Sequence, residues 1–342
     1  MPRLSCLTLV VAAAALQRPW TAPVRCNALR AEPGGPPPGA TGGPPPGATT
    51  GGPPRGPPGA AGGPPGGPPK QRDETNPLID AAVDALFALL YVGDDSGAAD
   101  SEKNLRVLWT RAVLSGRGVI DDPQAFEWLP TRTRFLVSPS NAQRLPESLI
   151  EKLEWIGSRT RFLDKSVDAF LAEHENGQVV VVGAGYDTRC ARYGGRAQFF
   201  EVDLPSAVEA KRRILATRSP SVVVEHLPLD LEDLKRGPTL PERLAAATAF
   251  DSTKPTLYVF EAVLFYLSPP ACAALLDAAL AQGKRVALTD SLTKLGVAPR
   301  GPAPPPNKAA CAEFFSTKGG ALGAHDVRWG GALHYADVVS SE

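Results

Sequence analysis

A doubly wound α/β domain is predicted for this chain, and the stretch 178–205 predicts it. The run 179–182 is purely apolar, as in a central parallel strand buried on both faces. It ends at Gly183-Ala184-Gly185, and a second apolar run, 199–202, ends in Asp203. Strand, tight turn, short helix, strand and acidic residue are the order in which such a domain opens a nucleotide-type site. Glycines let the turn be sharp and leave room beside it.

The remaining elements follow in chain order. Pro77 starts an amphipathic helix that carries Leu78, Ala82, Phe87 and Leu90 and stops at Gly93. Leu105, Leu108 and Trp109 give 101–115 one apolar face. Asp121 and Asp122 read as a turn that caps a helix starting at Pro123. Residues 146–157 are expected to be helical, with Ser158 capping a separate helix over 159–174. After Asp203, Pro205 opens a helix to about 217, whose Glu209, Lys211, Arg212 and Arg213 read as a solvated face. Strands are expected at 222–225, 256–260 and 286–289, and a helix at 240–249. Ser268 and Pro269 start another helix, to 281. Past the Pro-rich segment after residue 297, helix formers resume at 309–317. Only 326–339 is left for closing strands, and Gly330 and Gly331 break it.

Composition narrows the function. Lys plus Arg and Asp plus Glu both number 36, so the chain has no net charge, which argues against a general nucleic-acid or anionic-membrane binder. The five cysteines are scattered and odd in number, as expected for a reducing compartment without a disulfide framework. The four histidines are far apart in sequence, and no metal site is expected. Residues 1–32 resemble a targeting presequence: a short apolar run, too short to span a bilayer, followed by a basic, acid-poor stretch. Delivery to an organelle is expected, the bipartite plastid type being one form, with a cytoplasmic location as the alternative. Residues 33–70 are almost all Pro and Gly and are expected to be a disordered spacer.

Asp203 lies 20 residues after Gly183, where a carboxylate can accept hydrogen bonds from a ribose. Capping of the helix at Pro205 is its plainer role. The third glycine of a dinucleotide fingerprint is missing, with Thr188 in its place, and Asp187 beside it would repel a pyrophosphate. That favours S-adenosyl-L-methionine, which has no phosphate, over NAD.

GAGYDTR, FFEVDLP and then Lys211 together resemble the leucine carboxyl methyltransferase family, over roughly residues 105–291. The resemblance implies a Rossmann-like class I methyltransferase, with a helical lid over 71–157 and a mostly parallel core over 158–342. It implies that Arg159, or Arg161 if the register slips, meets the cofactor's carboxylate, a bidentate pairing suited to arginine. Asp230 and Leu231 match a pair that lies beside the adenine, although Asp230 also reads as a helix cap. Glu261, in YVFEAVLFYLSPP, is expected to hold the cofactor's ammonium or to line the substrate entrance. Tyr266 is either a pocket residue or a core aromatic with its hydroxyl satisfied. The family's closing hairpin is where this chain departs. The implied reaction is methyl transfer to a carboxylate or hydroxyl, of a small molecule or of a protein C-terminal leucine. A non-catalytic or NAD-binding protein is the alternative from another class, and a monomer is expected.

Overall fold

The computed structural model describes residues 99–145, 147–281, 284–297, 308–328 and 333–340. The expected presequence, the Pro/Gly spacer and the helix from Pro77 lie outside these residues. One seven-stranded sheet runs in the order β3-β2-β1-β4-β5-β7-β6. The strands are β1 (Gln178–Val182), β2 (Gln198–Asp203), β3 (Glu225–Pro228), β4 (Thr256–Glu261), β5 (Arg285–Asp290), β6 (Gly320–Arg328) and β7 (Leu333–Ser340). Strands β1 to β5 are parallel, and β7 is antiparallel to both β5 and β6. The chain builds outward from β1 to β3, then crosses back to set β4 on the other side of β1. The crevice between β1 and β4 is therefore the point where strand order reverses, and ligands of open α/β sheets bind there.

The helices are α1 (Ala99–Gly116), α2 (Pro123–Trp128), α3 (Thr131–Leu136), α4 (Pro139–Ala142), α5 (Glu147–Glu173), α6 (Arg189–Arg192), α7 (Pro205–Arg218), α8 (Leu240–Ala247), α9 (Pro269–Leu280) and α10 (Lys308–Ser316). Val179 and Val181 pack with Leu108 and Trp109 of α1 and with Leu163, Val167 and Phe170 of α5. Val180 and Val182 face the other way, into a second apolar layer that also holds Leu244 of α8, Leu275 and Leu276 of α9 and Phe315 of α10. Two apolar layers, one on each face, explain why β1 is apolar at every position. Among the described residues, no helix is long and apolar enough to cross a membrane.

Five local expectations are corrected. α5 is one unbroken helix, so no helix starts at Ser158 and the expected lid–core boundary runs through it. Ser158 bonds back to the carbonyl of Trp155 at 3.1 Å and meets the Tyr335 hydroxyl at 2.9 Å, which is how serine is tolerated inside a helix. β3 starts at Glu225, because Phe200 of β2 pairs with it; Val223 lies outside the ladder and is 85% exposed. Lys211 is buried, with its Nζ donating to Glu201 at 2.7 Å and to the Asp187 carbonyl at 2.6 Å. Ser268 does not cap α9 with its side chain; its amide and hydroxyl both donate to Glu232, at 2.5 and 2.8 Å. Finally, the closing strands start earlier than residue 326: β6 begins at Gly320 and pairs antiparallel with β7, while the two glycines lie outside the described residues.

Candidate cofactor site

The turn after β1 needs both of its glycines. Gly183 has φ 66° and Gly185 φ 46°, a region L side chains avoid. A Cβ on Gly183 would come within 2.5 Å of Val263 Cγ2, and one on Gly185 within 2.8 Å of Asn104 Oδ1. α1 and the segment after β4 thus close tightly on the turn. The amides of Gly183, Ala184, Gly185, Asp187 and Arg189 are already engaged. Gly183 and Ala184 donate to the Val202 carbonyl at 2.8 and 3.3 Å, and Asp187 to the Ala184 carbonyl at 2.7 Å. The first amide of α6, from Arg189, is taken by the Asp187 carboxylate at 2.7 Å.

Asp203 ends β2 beside this turn. Its Oδ2 accepts from the Gly185 amide at 2.6 Å and its Oδ1 from the Leu204 amide at 2.7 Å. Leu204, not Asp203, is the N-cap of α7, so the capping role is not the one adopted. Burial raises the pKa of Asp203, and the Gly185 and Leu204 amides only partly offset this. One accepted bond on each oxygen leaves lone pairs for further donors. The Leu229 amide donates to the Asp203 carbonyl at 2.8 Å, which sets Asp230 next to the tip of β2. Asp230 is exposed and accepts from the Glu232 amide at 2.9 Å, capping the turn of 3-10 helix Leu231–Lys235. Leu231 is buried beneath it.

Across the crevice, β4 ends in Glu261. Arg159, in the middle of α5, reaches its Oε1 with Nη2 at 3.1 Å and Nε at 3.3 Å, and stacks over the Trp155 ring. Arg189 holds Oε2 at 2.9 Å. Burial pushes the Glu261 carboxyl up, and the guanidinium groups of Arg189 and Arg159 outweigh it, so the group lies below its ordinary range. Arg159 lies twelve residues into α5, well away from the helix start. Ala262 follows with φ 57°, costly for a side-chain-bearing residue and a sign that the chain is forced to turn here. Asp290, at the end of β5, anchors the next residues: its carboxylate accepts from the amides of Val263 (2.6 Å), Leu264 (2.7 Å) and Phe265 (3.2 Å). Tyr266, in the 3-10 turn Leu264–Tyr266, is 46% exposed and packs on Phe265, so it is not a core aromatic.

Asp187 does not face a ligand with a bare charge. Burial raises its carboxyl, but Arg189, Arg111 and Lys211 overcome this and hold it well below the carboxylate range. Arg189 also bonds Asp164 at 2.8 Å, and Arg192 meets the same carboxylate at 2.8 and 3.0 Å. Asp122, which caps α2 through the Ala125 amide at 3.2 Å, pairs with Arg111 at 2.7 Å and accepts from Thr188 at 2.8 Å. Sequence reasoning missed Arg189, Asp164, Arg111 and the Lys211–Glu201 pair as site-building residues. The legible signal was Asp187-x-Arg189 on a turn; partners arriving from α1 and α5 had none.

The family model for leucine carboxyl methyltransferase matches residues 103–280. A Mycolicibacterium vanbaalenii protein provisionally named as an S-adenosyl-L-methionine-dependent methyltransferase is 36% identical over 102 residues, 29% of this chain and 32% of its own length. A Streptomyces coelicolor protein with the same kind of name is 36% identical over 104 residues, again 29% of this chain and 32% of its own. This chain thus spans about a third of the length of these curated relatives. Among solved structures, magnesium protoporphyrin IX methyltransferase from Synechocystis PCC 6803 is similar at a TM-score of 0.37 and 12% identity, covering 55% of this chain and 83% of that one.

Proposed function

The chain belongs to the leucine carboxyl methyltransferase family, and on that premise we propose that it is an S-adenosyl-L-methionine-dependent O-methyltransferase acting on a carboxylate or hydroxyl of a small molecule. The observation that carries the cofactor choice is the occupied glycine turn. A pyrophosphate needs free backbone amides at the helix start, whereas here Gly185 serves Asp203 and Arg189 serves Asp187. What the crevice offers instead is the Asp203 carboxylate, suited to ribose hydroxyls, and the Arg159–Glu261 pair, suited to an amino-acid end. A zwitterion entering between Arg159 and Glu261 exchanges one buried ion pair for two, so neither charge is left uncompensated.

When bound, the cofactor supplies an electrophilic methyl group. The chain's part is to orient the acceptor and exclude water. A carboxylate acceptor is already ionised near neutral pH and needs no strong base. The preference for a small molecule rests on the DTR form of the turn and on the bacterial relatives. We further propose that residues 1–32 deliver the domain to an organelle and that the enzyme acts as a monomer.

Calorimetric titration of the protein with S-adenosylhomocysteine, NAD and NADP tests the cofactor. Binding of the first alone is expected, and preferential NAD binding overturns the reading. Incubation with labelled S-adenosyl-L-methionine and peptides ending in leucine tests the acceptor; stoichiometric peptide methylation replaces the small molecule by a protein tail.

A further inference from the structure

Cys311, His325 and His334 show no ligand-like spacing in the sequence, yet the fold gathers them. In the β6–β7 hairpin His325 pairs with Ala336 and Val327 with His334, so the two histidines are diagonal neighbours on one face. α10 packs against the hairpin and brings Cys311 to them. Cys311 and His334 are fully buried and His325 is partly so. One donor atom from each of the three lies within 4.8 Å of the others.

His325 Nε2 and His334 Nδ1 are 3.4 Å apart. That is long for a hydrogen bond, which falls at about 2.7–3.2 Å. It matches the edge of a tetrahedron, since two imidazole nitrogens at about 2.0–2.1 Å from one zinc ion lie about 3.3–3.4 Å apart. The other nitrogen of His325, Nδ1, is buried and has no hydrogen-bond partner among the described residues.

We propose that Cys311, His325 and His334 form a three-ligand site for a zinc-class divalent cation, with a water in the fourth position. Two imidazoles and a thiolate are the borderline-soft donor set that suits this class. On ligation the Cys311 thiol releases its proton to solvent and both histidines bind as neutral rings. The ion clamps α10 to the closing hairpin, which the apolar packing of Phe315 and Val338 already joins. The proposal is independent of the methyl-transfer reading.

The test is titration of chelator-treated full-length protein with cobalt(II), followed by zinc. Expected are one equivalent bound, intense tetrahedral d–d bands and a near-ultraviolet thiolate-to-cobalt band, displaced by zinc, with a melting temperature raised by zinc. Cys311→Ser should lose the thiolate band and weaken binding at least about tenfold, since a thiolate ligand is gone. His325→Gln, at the least buried of the three positions, provides a milder variant should Cys311→Ser fail to fold, and it should also weaken binding. Absence of stoichiometric binding in the wild type overturns the proposal. So does a thiolate band that survives in Cys311→Ser, or undiminished affinity in His325→Gln.

Discussion

Arg159 and Glu261, 102 residues apart in the chain, meet at 3.1 Å across the crevice between β1 and β4. Both are largely buried, with side-chain exposures of 6% and 10%. Removing one partner of such a pair typically costs about 3–5 kcal/mol, because the other is left uncompensated. Glu261→Gln keeps the shape and removes the charge that Arg159 and Arg189 share. It should lower the unfolding free energy by roughly 3 kcal/mol and weaken S-adenosylhomocysteine binding at least tenfold. Denaturant titration and calorimetry check the two effects, and normal affinity in a destabilised variant would assign the pair to structure alone.

Asp203→Ala removes the acceptor of the Gly185 and Leu204 amides as well as the expected ribose contact. Loss of charge-assisted bonds to a ligand is worth roughly 1.5–3 kcal/mol, or about one to two orders of magnitude in affinity. The two amides left without an acceptor should also lower stability by about 1–2 kcal/mol. Paired melting and binding measurements separate the roles. A variant that melts early but binds normally removes the ribose assignment.

Asp290 makes stability depend on pH. Burial pushes its carboxyl up to about 6, outweighing the amides of Leu264, Ser291, Val263 and Phe265. In the unfolded chain it titrates near pH 3.9. Between about pH 4 and 6 the folded state holds a proton that the unfolded state has lost, so stability falls as pH rises through this window, by up to about 3 kcal/mol. Asp187 and Glu261, held low, act oppositely and at lower pH: their contribution is lost as acid titrates them in the folded state. Urea unfolding at pH 4.5 and 6.5 (both values set by this window, about 4 to 6) should show the decrease in the wild type and a flatter response in Asp290→Asn. A wild-type profile that rises across the window contradicts the assignment.

Deleting residues 1–70 should leave melting and cofactor affinity nearly unchanged, because this segment is too poor in apolar side chains after residue 32 to share a core. A large fall in melting temperature would reveal packing against the domain. A reporter fused to residues 1–32 should enter an organelle in an algal host, and a cytosolic reporter removes the targeting proposal.

What the sequence by itself determined is local. The all-apolar β1, the paired glycines and an acidic residue closing β2 specified parallel strands and a crevice, because each is a short-range consequence of backbone geometry and burial on two faces. Gly183, Gly185 and Asp203 were legible for that reason, and Glu261 through the family resemblance of its motif. The tertiary structure decided the rest through long-range charge compensation. It buried Lys211 against Glu201, turned Asp187 from a ligand-facing charge into the partner of Arg189, and set Arg159 in the middle of a long helix facing Glu261. It also closed the sheet with a hairpin whose edge strand, GALGAHDVR, has no apolar alternation to announce it, since one edge is unpaired and much of it is exposed. Buried ions must find opposite charges wherever the fold brings them, and no spacing rule along the chain records which element will supply them.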